Sequence, residues 1–291
     1  MKTQKLIIRI LLILALLICT SAVLAFDAFY TAPSRFTTRY ETISSIYIPD
    51  QLDDVNILFF TDLDYGTFMD DERLGKLIDT INSLSPDAVI FGGDLYDQNA
   101  GTVTEEQIST VTADLKSIKA PLGKFAVLGD FDHSDDTRLQ NVKDTLYNGD
   151  FELLLNSSIS LRNEGSQSIA IVGLDSGLKG TADISAAYAN VSPTSFVLTV
   201  CHTPDTADSV PADSTKYFLA GHSLGGQAYY FFDALYTPEM AVNYFRGKHT
   251  VSGSFTLDIS NGVGTTVKDV RFLSNAEVVI YRLQHKSIDS E

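Results

Sequence analysis

Five apolar, strand-like runs, at residues 55–61, 88–91, 125–128, 196–201 and 217–220, are each followed within three positions by an acid or an imidazole: Asp62, Asp94, Asp130, His202 and His222. In open α/β sheets a ligand site forms beyond the carboxyl ends of the strands. These residues can therefore converge although they span 160 positions. Taken one at a time, each also has an ordinary structural reading as a turn residue or a hydrogen-bonded core histidine.

Between the runs lie helical patterns. Leu74, Leu77, Ile78, Ile81 and Leu84 recur at helical spacing, as do Ile108, Val111, Leu115 and Ile118. Alternation of this kind predicts an α/β fold built on a buried mixed sheet. Beyond residue 150 the strand-like runs shorten, at 158–162, 169–173, 196–201 and 217–220, which predicts a second sheet.

The first residues read differently. Lys2, Lys5 and Arg9 precede an uncharged run of 17 residues, 10–26, rich in Leu and Ile. That length fits a signal anchor that crosses the membrane, and it also fits a signal peptide cut near Val23 and Ala25. Its length favours the anchor. With the basic end inside, either outcome leaves residues 27–291 outside the cytoplasm, on a single-pass cell-membrane protein if the run is kept. The expected organisation is an anchor or signal peptide at 1–26, a tether and leading strand at 27–52, one catalytic-type domain at 53–285 and a tail at 286–291.

A formal net charge of −16 argues against nucleic-acid partners, whose phosphates need clustered Lys and Arg. The two cysteines lie in unrelated apolar runs, Cys19 near the N-terminus and Cys201 in a strand-like segment, so no disulfide between them is expected.

The wording around the five residues resembles the calcineurin-like metallophosphoesterases, and within them a membrane-anchored bacterial branch acting on phosphodiesters or lipid-linked pyrophosphates. The resemblance extends from about residue 53 to 284. The family's stations are D-x-H, G-D-x-x-D, G-N-H-D, a lone His and G-H-x-H, each after a strand. Here they read Asp62-Leu63-Asp64, Gly93-Asp94-Leu95-Tyr96-Asp97, Gly129-Asp130-Phe131-Asp132, His202-Thr203-Pro204-Asp205 and Gly221-His222-Ser223-Leu224, the last followed by Gly225-Gly226-Gln227. The segments Asn261-Gly262-Val263-Gly264, Val270-Arg271-Phe272 and Glu277-Val278-Val279-Ile280 are similar to the branch's closing strands.

The resemblance implies a calcineurin-like metallophosphoesterase fold, a two-sheet β-sandwich flanked by helices. It also implies one or two divalent metal ions (Mn, Mg, Zn or Fe) held by Asp62, Asp64, Asp94, Asp130, His202 and His222. The expected chemistry is attack of metal-activated water on a phosphodiester or pyrophosphate in a phosphate-bearing small molecule or a lipid-linked substrate.

Three positions depart from the family pattern. Asp64 stands in place of a metal-binding His, Asp130 and Phe131 in place of Asn and the leaving-group His, and Leu224 in place of the last His. Sorted by half-site, Asp94, Asp130, His202 and His222 are all competent ligands, whereas the other half keeps Asp62, Asp64 and Asp94 and lacks a fourth. An all-carboxylate half-site suits Mg²⁺, Mn²⁺ or Ca²⁺, and the mixed half Zn²⁺, Fe²⁺ or Mn²⁺. His133 is the one nearby imidazole that could stand in for Phe131 in catalysis; the plainer reading makes His133, Asp135 and Asp136 a polar loop capping the next helix. His249 and His285 have no partners in the sequence pattern. The departures also fit a second reading, a catalytically impaired homologue that binds a metal or phosphate ligand or serves as an interaction module.

Overall fold

The computed structural model describes residues 2–230 and 233–287. Fourteen strands and five α-helices are found among them. They are β1 (Thr37–Ser45), β2 (Asn56–Phe60), β3 (Ala88–Phe91), β4 (Lys124–Ala126), β5 (Glu152–Leu153), β6 (Ser157–Leu161), β7 (Ile169–Gly173), β8 (Val197–Val200), β9 (Tyr217–Ala220), β10 (Tyr229–Tyr230), β11 (Asp233–Ala234), β12 (Gly247–Val251), β13 (Phe255–Ile259) and β14 (Glu277–His285), with α1 (Lys2–Phe26), α2 (Asp71–Ser83), α3 (Glu105–Ser117), α4 (Asp136–Asn148) and α5 (Ile184–Tyr188).

Two six-stranded sheets form, in the orders β1-β14-β2-β3-β4-β5 and β12-β13-β9-β8-β7-β6. The side-chain period of two explains how they stack. Ile57 and Phe59 on β2 face the second sheet and meet Ile171, Leu198 and Leu219, while Leu58 and Phe60 face Leu74, Leu77 and Ile81 of α2. A third apolar cluster, with Val172, Val197 and Phe218, covers the far face of the second sheet against Ala187 of α5. The result is the expected two-sheet sandwich flanked by helices.

The helix starts are set by local chemistry. Asp70 Oδ1 accepts from Arg73 N at 2.9 Å, Thr104 and Gln107 form a reciprocal capping box, and Asp135 Oδ1 accepts from Arg138 N at 2.9 Å. The Asp135 cap accords with the plainer reading of the loop around His133.

The segment expected to serve as a tether is docked instead. After α1 the chain makes a wide turn at Asp27–Thr31 and a tight one at Ala32–Ser34, with Ala28, Ala32 and Pro33 buried. β1 then pairs in parallel with β14 along nine residues. The edge of the first sheet needs this strand to satisfy the outer hydrogen bonds of β14. Of the expected tail, residues 288–291 lie outside the described residues, and β14 ends at His285.

Candidate metal centre

Several candidate ligands sit where a strand ends and the backbone turns sharply. Asp62, Asp64, Asp94 and His222 have φ of 54°, 50°, 59° and 71°, in the left-handed region, which is uncommon for residues other than glycine. Such strain gathers where side chains must be aimed at a site. The glycines before them make room: at Gly129 an added Cβ would lie 2.1 Å from Asp94 Oδ1. Gly93, itself at φ 97°, would meet Gly129 N at 2.4 Å.

Asp94, His202 and His222 are buried together, with one potential ligand atom from each lying within 4.8 Å of the others. His202 Nε2 is 3.0 Å from Asp94 Oδ2 and 3.9 Å from Asp62 Oδ1; His222 Nδ1 is 2.9 Å from Asp130 Oδ2. The opposite nitrogens are tied to carbonyls, His202 Nδ1 to Gly92 O at 2.8 Å and His222 Nε2 to Glu239 O at 2.6 Å. A ring nitrogen that donates to a carbonyl leaves the other with a free lone pair, the usual arrangement of a metal-binding histidine.

Asp62 receives His222 N–H on both oxygens, at 3.0 and 3.2 Å. Asp64 Oδ1 is buried with no hydrogen-bond partner, as is Thr61 Oγ1. The centre thus draws together the six residues expected from the sequence, with Asp94, His202 and His222 tightest, Asp130 on His222, Asp62 beside His202, and Asp64 adjoining through its charge on Asp62 and Asp94.

The electrostatics of the cluster favour a bound cation. Burial pushes Asp62 up, helped by Asp94, and pushes Asp64 well up, reinforced by Asp94, Asp62 and Asp97. For Asp130 burial acts upward too, but the imidazoles of His222 and His202 outweigh it and hold the carboxyl at about 2. Burial disfavours protonated His202, yet Asp94, Asp62 and Asp130 raise it well above the ordinary imidazole range. Buried carboxylates at this density, an orphaned Asp64 oxygen and two imidazoles whose second nitrogens face carboxylates fit a divalent cation, which would displace the proton that Asp94 and its neighbours favour on His202.

Phe131 places no polar side-chain atom at the centre, though its backbone N–H donates to Asp94 Oδ1 at 2.8 Å. Leu224 is buried, at φ 53°, and its carbonyl accepts from Arg271 and Ser274 rather than offering a ligand. His133 stands apart from the cluster: its Nε2 lies 2.6 Å from Asp175 Oδ1. His249 and His285, without partners in the sequence pattern, are held by Arg246 O at 3.0 Å and Ile48 O at 2.6 Å.

Residues that sequence reasoning did not single out complete the surroundings. Asp132 accepts from Asp94 N, Leu95 N and Gly129 N at 3.0, 2.9 and 2.8 Å, and burial beside Asp94 pushes it up to about 6. Ser176 Oγ donates to Asp130 Oδ1. Burial, with Asp94, Asp64, Asp62 and Asp130, raises the Tyr236 phenol above its ordinary range. Arg271 is buried and donates to the carbonyls of Leu224, Asn261, Ser274, Gly262 and Gly264, fixing the loops behind Asp62. Asp132 had a signal as the last residue of its motif, and Arg271 as part of Val270-Arg271-Phe272, whereas Ser176 and Tyr236 had none.

No family model matches the chain. It is 29% identical over 256 residues to the uncharacterised metallophosphoesterase YkuE of Bacillus subtilis (strain 168), covering 88% of each protein. It is 24% identical over 287 residues to the UDP-2,3-diacylglucosamine pyrophosphatase LpxG of Chlamydia muridarum, covering 78% of this chain and 83% of that one. A solved dimetal phosphatase from Danio rerio superposes with a TM-score of 0.46 at 14% identity, over 72% of this chain and 88% of the other.

Proposed function

We propose that this chain, which belongs to the calcineurin-like metallophosphoesterases, is a metal-dependent hydrolase of a phosphodiester or pyrophosphate. In this reading α1 holds it in the cell membrane with the domain at 53–285 on the extracytoplasmic side, and the substrate is a phosphate-bearing small molecule or a lipid-linked phosphate. Among the described residues one helical stretch, Thr3–Ser34, is long and apolar enough to cross a membrane. The basic residues Lys2, Lys5 and Arg9 precede its apolar core, which supports that orientation.

The observation that carries the reading is the buried meeting of Asp94, His202 and His222. Asp94, Asp130, His202 and His222 would hold one cation, and Asp62, Asp64 and Asp94 a second. Divalent metals bound there supply Lewis acidity toward a phosphoryl oxygen and acidify water. The protein's own part is to keep His202 and His222 in the ligating tautomer through Gly92 O and Glu239 O. Asp132 fixes the backbone under Asp94. His133 acts through Asp175, whose Oδ1 also accepts from Ser176 N at 2.9 Å and so steadies the serine on Asp130.

A second reading, a metal- or phosphate-binding module without turnover, is favoured by Phe131, whose ring has no proton to give a leaving group. Bound metal per chain, and hydrolysis of an aryl phosphodiester with Mn²⁺, Mg²⁺ or Zn²⁺, separate the two. Turnover above that of Asp94→Ala supports the enzyme. Bound metal with turnover equal to that control supports the module.

A further inference from the structure

The sheet directions fix which end of the domain meets the membrane. β14 runs antiparallel to β2, so it begins at Glu277 beside the end of β2, where Asp62 stands. β1 runs parallel to β14, so Thr37 also lies at that end, with Thr37 N bonded to Ala276 O at 2.9 Å. Only a short turn, docked through Ala28, Ala32 and Pro33, separates Thr37 from α1. The helix therefore joins the domain at the end that carries the metal centre.

The junction is made by the loops around the centre. Arg271 N donates to Ala28 O at 2.9 Å while its guanidinium holds the Leu224, Gly262 and Gly264 carbonyls. Phe272 N donates to Gln227 O at 3.1 Å, and Leu235 N to Ala228 O at 2.9 Å. Residues 228–230, 233–235 and 265–273 are thus tied to one another and to the turn that follows α1. On these segments Leu235, Val267 and Leu273 are 47%, 61% and 64% exposed, and Phe29 and Tyr30 of the turn bonded to Arg271 are exposed too. Large apolar side chains exposed together, rimmed by polar groups, mark an interaction surface.

Its charges suit an anionic lipid surface. Asp27 is paired with Arg35 at 2.8 Å and Asp269 with Arg73 at 2.6 Å, whereas Asp233 accepts only the neutral Ala234 N–H and keeps its charge. Lys268 is exposed among them, and Arg246 stacks on Tyr229 at 4.5 Å while reaching Leu273 O. Aromatic and basic residues around an apolar patch are the composition of the bilayer interface.

We propose that the loop at 265–273, with residues 228–230 and 233–235 bonded beside it, docks on the outer surface of the same bilayer that α1 spans, with Val267 and Leu273 inserted at headgroup depth, so that the metal centre opens onto lipid headgroups. This rests on reading α1 as a membrane span. A helix of 25 residues rises about 37 Å, enough for the hydrocarbon core of about 30 Å, which brings Ala28 and the loop bound to it to the interface. The substrate class this favours is a phosphate ester carried by a lipid already in the membrane.

The test uses the full chain in vesicles of phosphatidylethanolamine and phosphatidylglycerol. Cys19 is exposed on α1 and Cys201 is buried, so an environment-sensitive dye on the wild type reports on the helix. In a Cys19→Ser background the dye is placed by Val267→Cys, Leu273→Cys or, as control, Tyr147→Cys. Tyr147 is exposed near the end of α4, just before β5 begins, on the opposite end of the domain. Brominated lipids are expected to quench the 267 and 273 labels at least about half as strongly as the Cys19 label, and the 147 label hardly at all. Quenching at Cys19 with labels at 267 and 273 as water-exposed as that at 147 would overturn the docking and leave the anchored enzyme standing. No quenching at Cys19 would overturn the membrane reading and the docking with it. Metal content and turnover are read separately and do not enter the result.

Discussion

Phe131 donates its backbone N–H to Asp94 Oδ1 at 2.8 Å. The residue that cannot act as an acid is therefore anchored through its backbone on the carboxylate at the heart of the centre, at the position where the family resemblance expects an imidazole. Phe131→His is expected to keep this bond and raise kcat on an aryl phosphodiester at least about tenfold, since a general acid contributes roughly 10²–10⁴. Combining it with Asp64→His and Leu224→His should raise turnover further. Steady-state kinetics with bound metal measured in parallel check both.

Removing metal should destabilise the fold in a pH-dependent way. Burial and mutual repulsion raise Asp62 and Asp64 in the folded protein. A carboxyl whose folded value is raised favours the folded state at acid pH and opposes it once pH climbs through that value. A chelator should therefore lower the melting temperature more at pH 7.5 than at about pH 5, where protons also compete for the ligands. Saturation at a hundredfold excess over Kd is worth about 2.7 kcal/mol, or roughly 5–10 °C for a domain of this size.

The pair His133 and Asp175 makes a separate pH prediction. Asp175 raises His133 against the opposing effect of burial, and His133 helps lower Asp175 although burial acts the other way. The histidine's contribution is full below its unfolded value of about 6.5 and fades as pH rises through the folded one, while the aspartate's fades as pH falls below about 3.8. Asp175→Asn should therefore cost most near pH 5.5 and less at pH 8.5, by about 1 kcal/mol for this half-buried pair. Thermal melts at the two pH values decide it.

Arg271 donates to five carbonyls from three loop segments, and no second residue among those described does so. Arg271→Lys leaves most of those carbonyls without their charged partner, because an ammonium cannot present the guanidinium's fork. The expected cost is about 3–5 kcal/mol. Metal affinity should fall as well, because Gly262 and Gly264 pack on Asp62 and Asp64. Denaturation and metal titration of the same variant measure the two effects.

Much of the centre was legible because its residues sit at fixed offsets from apolar strands. Asp62, Asp94, His202 and His222 each follow a run whose burial is dictated by composition. The parallel alignment of those strands then carries the ends to one edge. The helix caps at Asp70, Thr104 and Asp135 are local too, within three residues of the groups they bind. The apolar helix α1 is likewise written in the chain.

What the chain alone left open depends on contacts between distant segments. His133 could serve as a catalyst or a cap until the fold set Asp175, 42 positions away, against it. Tyr236 carries no motif, and the carboxylates that raise its phenol come from segments distant in sequence. The tether became a docked edge because β14 needed a partner strand and β1 supplied it from 240 positions upstream. Sequence by itself determined the buried strands, the acids and imidazoles that follow them and the apolar helix, since these follow from local periodicity, while the sandwich and the candidate ligand set came with the family resemblance. Only the tertiary structure decided which groups the ligands lean on and that the helix arrives at the metal-bearing end, because strand direction and long-range pairing have no local signature.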